Sequence, residues 1–193
     1  FIEMAAVNGL PLLSATERNP MLTTTYGTGE LILHAIEHGY REFIIGIGGS
    51  ATNDAGLGML QALGFRFYDQ NGEILGKGGQ ILDQIVAIDF SSVHPALKDA
   101  RFTIACDVRN PFSGPEGAAY VFARQKGADG AMIEKLDAGM KRFSRLIHST
   151  TGREITEVAG AGAAGGLGGA FLAFLNAELK PGIELLLRTL KFD

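Results

Sequence analysis

Phe43-Ile44-Ile45-Gly46-Ile47-Gly48-Gly49-Ser50-Ala51-Thr52-Asn53-Asp54-Ala55-Gly56 is the stretch on which the fold turns. Residues 43–45 form an apolar run that suits a buried strand. Gly46, Gly48 and Gly49 allow a tight turn and let something approach the backbone. Ser50, Thr52, Asn53 and Asp54 follow at once, each a residue type that caps helices or binds ligands. Leu57, Leu60 and Leu63 then carry helical spacing, so residues 50–63 read as a helix. A strand, a glycine turn and a polar helix start make an anion site, because free N–H groups and the positive end of the helix dipole point one way. Capping alone needs one such residue, not four.

Working outward, strands read at residues 1–5, 42–47, 85–90 and 101–106, and a hairpin at 65–75 with Asn71-Gly72 in its turn. Helices read at 28–38 with Thr28 as cap, at 79–84, at 129–148, at 163–177 and at 182–190. Lys180-Pro181-Gly182 splits the last two. In the longest, Met132, Ile133, Leu136, Met140, Phe143 and Ile147 share one stripe. Strands alternating with helices predict an α/β class, with a mixed sheet flanked by helices.

The chain of 193 residues is 46% hydrophobic, enough for a sizeable core in a single α/β domain over residues 1–193. Its net charge of −4 argues against a nucleic-acid or anionic-membrane partner. No apolar run approaches the ~18 residues of a membrane span. A lone cysteine, Cys106, forms no internal disulfide and fits a reducing, cytoplasmic compartment. The chain starts and ends inside apolar segments, which reads as a piece of a longer protein. Phe1, Ile2 and Phe192 at those ends would invite a homo-oligomer.

Asp107 follows the apolar strand 101–106 in Cys106-Asp107-Val108-Arg109-Asn110-Pro111. Ligand sites of α/β proteins gather at carboxyl ends of strands, so Asp107 suits Mg2+ binding or proton acceptance. A turn in which Asp107 caps its own backbone explains the same residues. Lys126 could reach a phosphate or carboxylate, although surface lysine is the commoner outcome. Residues 46–51 and 160–165 match dinucleotide fingerprints, which carry little weight among 27 glycines. Residues 72–78 resemble a P-loop one residue short, and a solvated loop explains them better. His34 and His38 stand four apart without a third ligand nearby in sequence, which favours a solvated helix face over zinc.

Six segments in order resemble the bacterial glycerate kinase family: residues 2–5, 25–30, 46–54, 106–111, 125–128 and 160–166. Ala55 departs from the family's usual glycine and Ala159 from its usual proline. Family members are longer, with one α/β domain inserted into another and the active site in the cleft between. The resemblance implies that this chain is the inserted domain and holds half of an active site. It implies phosphoryl transfer from ATP to a hydroxyl of D-glycerate, giving phosphoglycerate of the 2-phosphoglycerate type, with Mg2+ as cofactor.

On that resemblance Asp107, Asp54 and Lys126 become catalytic candidates, with Asp107 as the Mg2+ ligand. Gly48, Gly49, Ser50, Thr52, Asn53, Arg109, Asn110, Gly160, Gly162 and Gly165 become substrate or nucleotide contacts. The rival reading is a non-catalytic α/β module that binds a small acid or packs on a partner domain. A dehydrogenase stands third.

Overall fold

The computed structural model describes residues 1–190. Four strands form one sheet: β1 (Ile2–Glu3), β2 (Glu42–Gly46), β5 (Arg101–Ala105) and β6 (Glu178–Lys180), in the order β1-β2-β5-β6. Every neighbour pair is parallel. The remaining strands, β3 (Arg66–Tyr68) and β4 (Ala87–Asp89), form a separate antiparallel ribbon. The α/β expectation holds, but the mixture lies in this ribbon, and the main sheet is parallel throughout. Parallel strands need crossovers, and the helices supply them.

The helices are α1 (Ala5–Asn8), α2 (Tyr26–Glu37), α3 (Leu57–Ala62), α4 (Ala118–Phe122), α5 (Gly130–Thr151), α6 (Ala163–Phe174) and α7 (Gly182–Leu190). Among these described residues no helix is long and apolar enough to cross a membrane. The core is one contiguous cluster. Phe43 of β2 stacks on Phe102 of β5 at 5.0 Å, and Phe102 meets Phe171 of α6 at 6.0 Å. Phe67 of the ribbon meets Phe143 of α5 edge-on at 5.9 Å. The predicted stripe on α5 is its core face: Ile133, Leu136, Met140, Phe143 and Ile147 are buried. Asp129 caps that helix, its Oδ1 accepting from the Met132 N–H at 2.8 Å.

Several boundaries differ from the sequence reading. The first strand stops at Glu3, and Ala5 already belongs to α1. Helix α2 begins at Tyr26, and Thr28 sits buried within it, donating to Asn8 Oδ1. Residues 79–84 give only a 3-10 turn over Gly79–Ile81. The turn at Asn71-Gly72 forms, but residues 73–75 contribute a single bridge, Tyr68 to Ile74, and β3 takes β4 as its partner. The helix expected over 50–63 is the largest departure, since α3 starts only at Leu57. Ala55 and Gly56 adopt left-handed φ values of 53° and 76°, which break a helix.

The register places the site. Ile45 pairs with Ile104 and Gly46 with Ala105. Strands β2 and β5 therefore end side by side, and the loops after Gly46 and Ala105 leave the same edge.

Candidate active site

A cavity of about 410 Å3 opens at that edge, lined by Gly48, Gly49 and Ser50 from one loop and Cys106 and Asp107 from the other. Gly49 has a left-handed φ of 69°, the value that sends the chain round the rim. A Cβ on Gly48 would meet nothing within 4 Å, so this backbone borders open space. The N–H groups of Gly48 and Gly49 donate to no protein acceptor among the described residues.

Lys126 lines the same cavity and is only 2% exposed. It ends a 3-10 turn, Arg124–Lys126, that continues from α4. Its Nζ donates to Ser50 Oγ at 2.8 Å and to the Thr52 carbonyl at 2.6 Å. An ammonium has three protons, so one remains for a ligand. Burial pushes the Lys126 pKa down to about 7, and the Asp54 charge pulls it partly back. Ser50 accepts from the lysine, which leaves its own hydroxyl proton to donate onward.

Asp54 does not join this group. It is 0% exposed and lines none of the cavities described here. Its Oδ2 accepts from the Thr25 N–H at 2.8 Å, the Thr25 hydroxyl at 2.9 Å and the Gly58 N–H at 3.2 Å, and its Oδ1 accepts from the Gly56 N–H at 3.1 Å. Burial raises its pKa, while these hydrogen bonds act the other way. The carboxylate takes N–H groups at the start of α3, so that helix terminus is not left open to an anion. The groups that face the cavity come from a loop and a lysine, not from the start of α3.

Asp107 is exposed at the cavity rim, and its Oδ1 accepts from the Gly182 N–H at 2.8 Å, capping α7. Among the described residues no three His, Cys, Asp or Glu side chains are grouped to hold a metal. Mg2+ commonly takes one or two carboxylates plus substrate phosphates and waters. The remaining Asp107 oxygen fits a single shared ligand, not a closed cage.

The other expected residues divide. The Thr52 and Asn53 side chains are 1% and 0% exposed. Neither Thr52 Oγ1 nor Asn53 Oδ1 has a hydrogen-bond partner in the protein. Arg109 and Asn110 border a different, open cavity beside Pro115 and Glu116. The second glycine run meets protein rather than open space. A Cβ on Gly162 would lie 2.1 Å from the Pro111 carbonyl oxygen, and one on Gly165 would lie 2.1 Å from that of Thr52. Gly160, with φ of 85°, would press on the Leu179 side chain. These glycines brace the loops that carry the site. The alanines after them, Ala163 and Ala164, form its wall, as does Gln125. All three fall within segments that carried the family resemblance, but none was named as a site residue.

Cys106 borders the cavity, with its thiol pKa raised by burial. The His34 and His38 rings lie 4.2 Å apart, tilted by 43°, on the exposed side of α2. Asp69 accepts from the Asn71 and Glu73 N–H groups, which fixes it in its turn.

The fold and site define an α/β domain with a parallel sheet whose carboxyl edge carries a glycine loop and a buried lysine. The sequence profile of the glycerate kinase family matches residues 1–193, and the chain belongs to that family. It is 50% identical to a glycerate 2-kinase of Escherichia coli strain K12, over 100% of this chain and 51% of that protein. It is 48% identical to a glycerate kinase of Halalkalibacterium halodurans, over 99% of this chain and 50% of the relative. A crystal structure from Salmonella typhimurium LT2, of a protein assigned as glycerate kinase 2, superposes with a TM-score of 0.96 at 47% identity. That match covers 99% of this chain and 51% of the solved one. The chain thus spans about half the length of the curated relatives it matches.

Proposed function

We propose that this chain supplies the phosphate-binding half of a glycerate kinase, which transfers a phosphoryl group from ATP to D-glycerate. The observation that carries the reading is the buried Lys126, held by Ser50 and Thr52 on the floor of a cavity rimmed by open glycine backbone. Phosphoryl transfer needs positioning and neutralised charge more than covalent chemistry. The third Lys126 proton, the Ser50 hydroxyl and the N–H groups of Gly48 and Gly49 bind phosphate oxygens. Asp107, open on the same cavity, would accept the proton of the attacking hydroxyl or hold Mg2+. When bound, Mg2+ neutralises the charge that develops on the transferring group. Asp54 acts as scaffold, tying the glycine loop to α2 and α3.

Relatives twice as long support the view that the rest of the site comes from a second lobe and that this chain is the inserted domain. The lone Cys106 supports a reducing, cytoplasmic setting. Phe1, 85% exposed beside edge strand β1, supports association through that edge as a homo-oligomer. Phe192, the other apolar end residue, lies outside the described residues.

The test is phosphoryl transfer from MgATP to D-glycerate, measured on the chain alone and on the chain completed to the length of its relatives. The reading expects turnover only in the completed protein. Absence of turnover there would refute it.

A further inference from the structure

A second cavity, about 360 Å3, borders the next two residues of the same loop, Ala51 and Thr52. Val7, Leu12 and Leu13 form an apolar wall, and Tyr26, Glu30 and Lys77 supply the polar side.

Two of its groups lack a partner suited to them. Thr52 is 1% exposed, and its hydroxyl makes no hydrogen bond within the protein. A buried polar group without a partner costs about 1–3 kcal/mol, so an oxygen-bearing ligand at this place has something to gain. Lys77 pairs with no carboxylate among the described residues. Its Nζ instead lies 3.2 Å from the centre of the Tyr26 ring. At an exposed position that contact is worth only about 0.5–1 kcal/mol, and an anion entering the cavity outbids it.

One cation, one buried hydroxyl and one carboxylate at Glu30 define a narrow chemistry. A polyphosphate is disfavoured, because a single lysine faces it and Glu30 repels it. A small hydroxy acid fits. Its carboxylate pairs with Lys77, and its hydroxyls reach Thr52 and Glu30. The apolar wall covers its carbon chain.

We infer that this cavity is a second ligand site, for a small hydroxycarboxylate, distinct from the Lys126 pocket. The kinase reading adds only the identity of the acid, D-glycerate. Thr52 joins the two sites: the residue borders this cavity, and its carbonyl holds Lys126 Nζ at 2.6 Å.

The experiment is calorimetric titration of the 193-residue chain with D-glycerate, and separately with tripolyphosphate. Lys77→Met is expected to weaken glycerate binding about tenfold or more and to leave tripolyphosphate binding within about threefold, and Thr52→Val is expected to weaken glycerate binding as well. Lys126→Met is expected to do the reverse. Circular dichroism checks that each variant folds. Glycerate binding that ignores Lys77→Met but vanishes in Lys126→Met overturns the inference, as does the absence of saturable glycerate binding at millimolar concentrations. The two readings fail separately. A completed protein that binds glycerate through Lys77 but transfers no phosphoryl group refutes the kinase reading alone. A working kinase whose glycerate affinity ignores Lys77 refutes this site alone.

Discussion

Lys126 Nζ donates to Ser50 Oγ at 2.8 Å, joining the turn after α4 to the glycine loop after β2. The pair is buried, although it lines a cavity. A lysine in this position is costly to keep charged without an anion and well placed to receive one. The predictions below follow from that relationship and from the carboxylates around it.

The pH dependence has a defined sign. Burial lowers the folded Lys126 pKa to about 7 from an ordinary value of 10.5. Between these values the unfolded chain holds a proton that the folded chain lacks. Stability from this group therefore rises with pH across the window, by at most about 1.4 kcal/mol per unit, and its burial penalty is fully present below pH 7. Lys126→Met should remove the slope, so that wild type gains on the variant as pH rises. Urea titrations at pH 7, 8 and 9 would show it. Phosphate binding runs the other way, because a neighbouring anion restores the charge. Tripolyphosphate affinity should fall by up to about tenfold per unit above pH 7.

Asp54 should matter to the fold. Its carboxylate accepts four hydrogen bonds in a fully buried place. Asp54→Ala leaves three backbone N–H groups unpaired and opens a void, which should cost about 3–5 kcal/mol of unfolding free energy. Loss of less than about 1 kcal/mol in a urea titration would contradict the scaffold role.

Asp107 should behave in the opposite way. Asparagine caps a helix about as well as aspartate does, so Asp107→Asn should keep α7 in place and move stability by less than about 0.5 kcal/mol. The completed enzyme should nevertheless lose about 100-fold or more in turnover, the usual worth of a general base. Near-normal turnover would remove Asp107 from the chemistry.

Ala55 offers a gain. Its φ of 53° is left-handed, a region that favours glycine. The left-handed region costs a side-chain-bearing residue about 1–2 kcal/mol. Ala55→Gly should therefore raise unfolding free energy by about 1 kcal/mol, less the entropy glycine loses on folding. A fall in the thermal midpoint would refute the strain argument.

The parts of this fold legible in sequence are those fixed by local pattern. Strands β2 and β5 are apolar runs ended by turn chemistry, and the α5 stripe repeats over about four turns. What escaped depends on tertiary contact. Strand β6 is three residues, Glu178-Leu179-Lys180, with no alternation to mark it, and it exists because β5 offers an edge. The start of α3 was misplaced because the Asp54 side chain reaches Thr25, 29 positions earlier, and closes the loop before the helix can begin. The residues around the pocket could be named from sequence, but their division could not. Lys126 reads as a surface lysine until Ser50 and Thr52 are brought to it, and Asp54 reads as a ligand group until Thr25, Gly56 and Gly58 surround it. The covering role of the second glycine run was equally hidden, since only the packed backbone of Thr52 and Pro111 shows why Gly165 and Gly162 admit no side chain.

The most direct test of the central claim is calorimetric titration of this chain with tripolyphosphate at pH 7, in wild type and in Lys126→Met. The account predicts saturable binding that weakens by about 10–100-fold in the variant, the worth of one buried charge-assisted contact. Equal affinities in the two proteins, with both folded, would contradict a phosphate site built on Lys126.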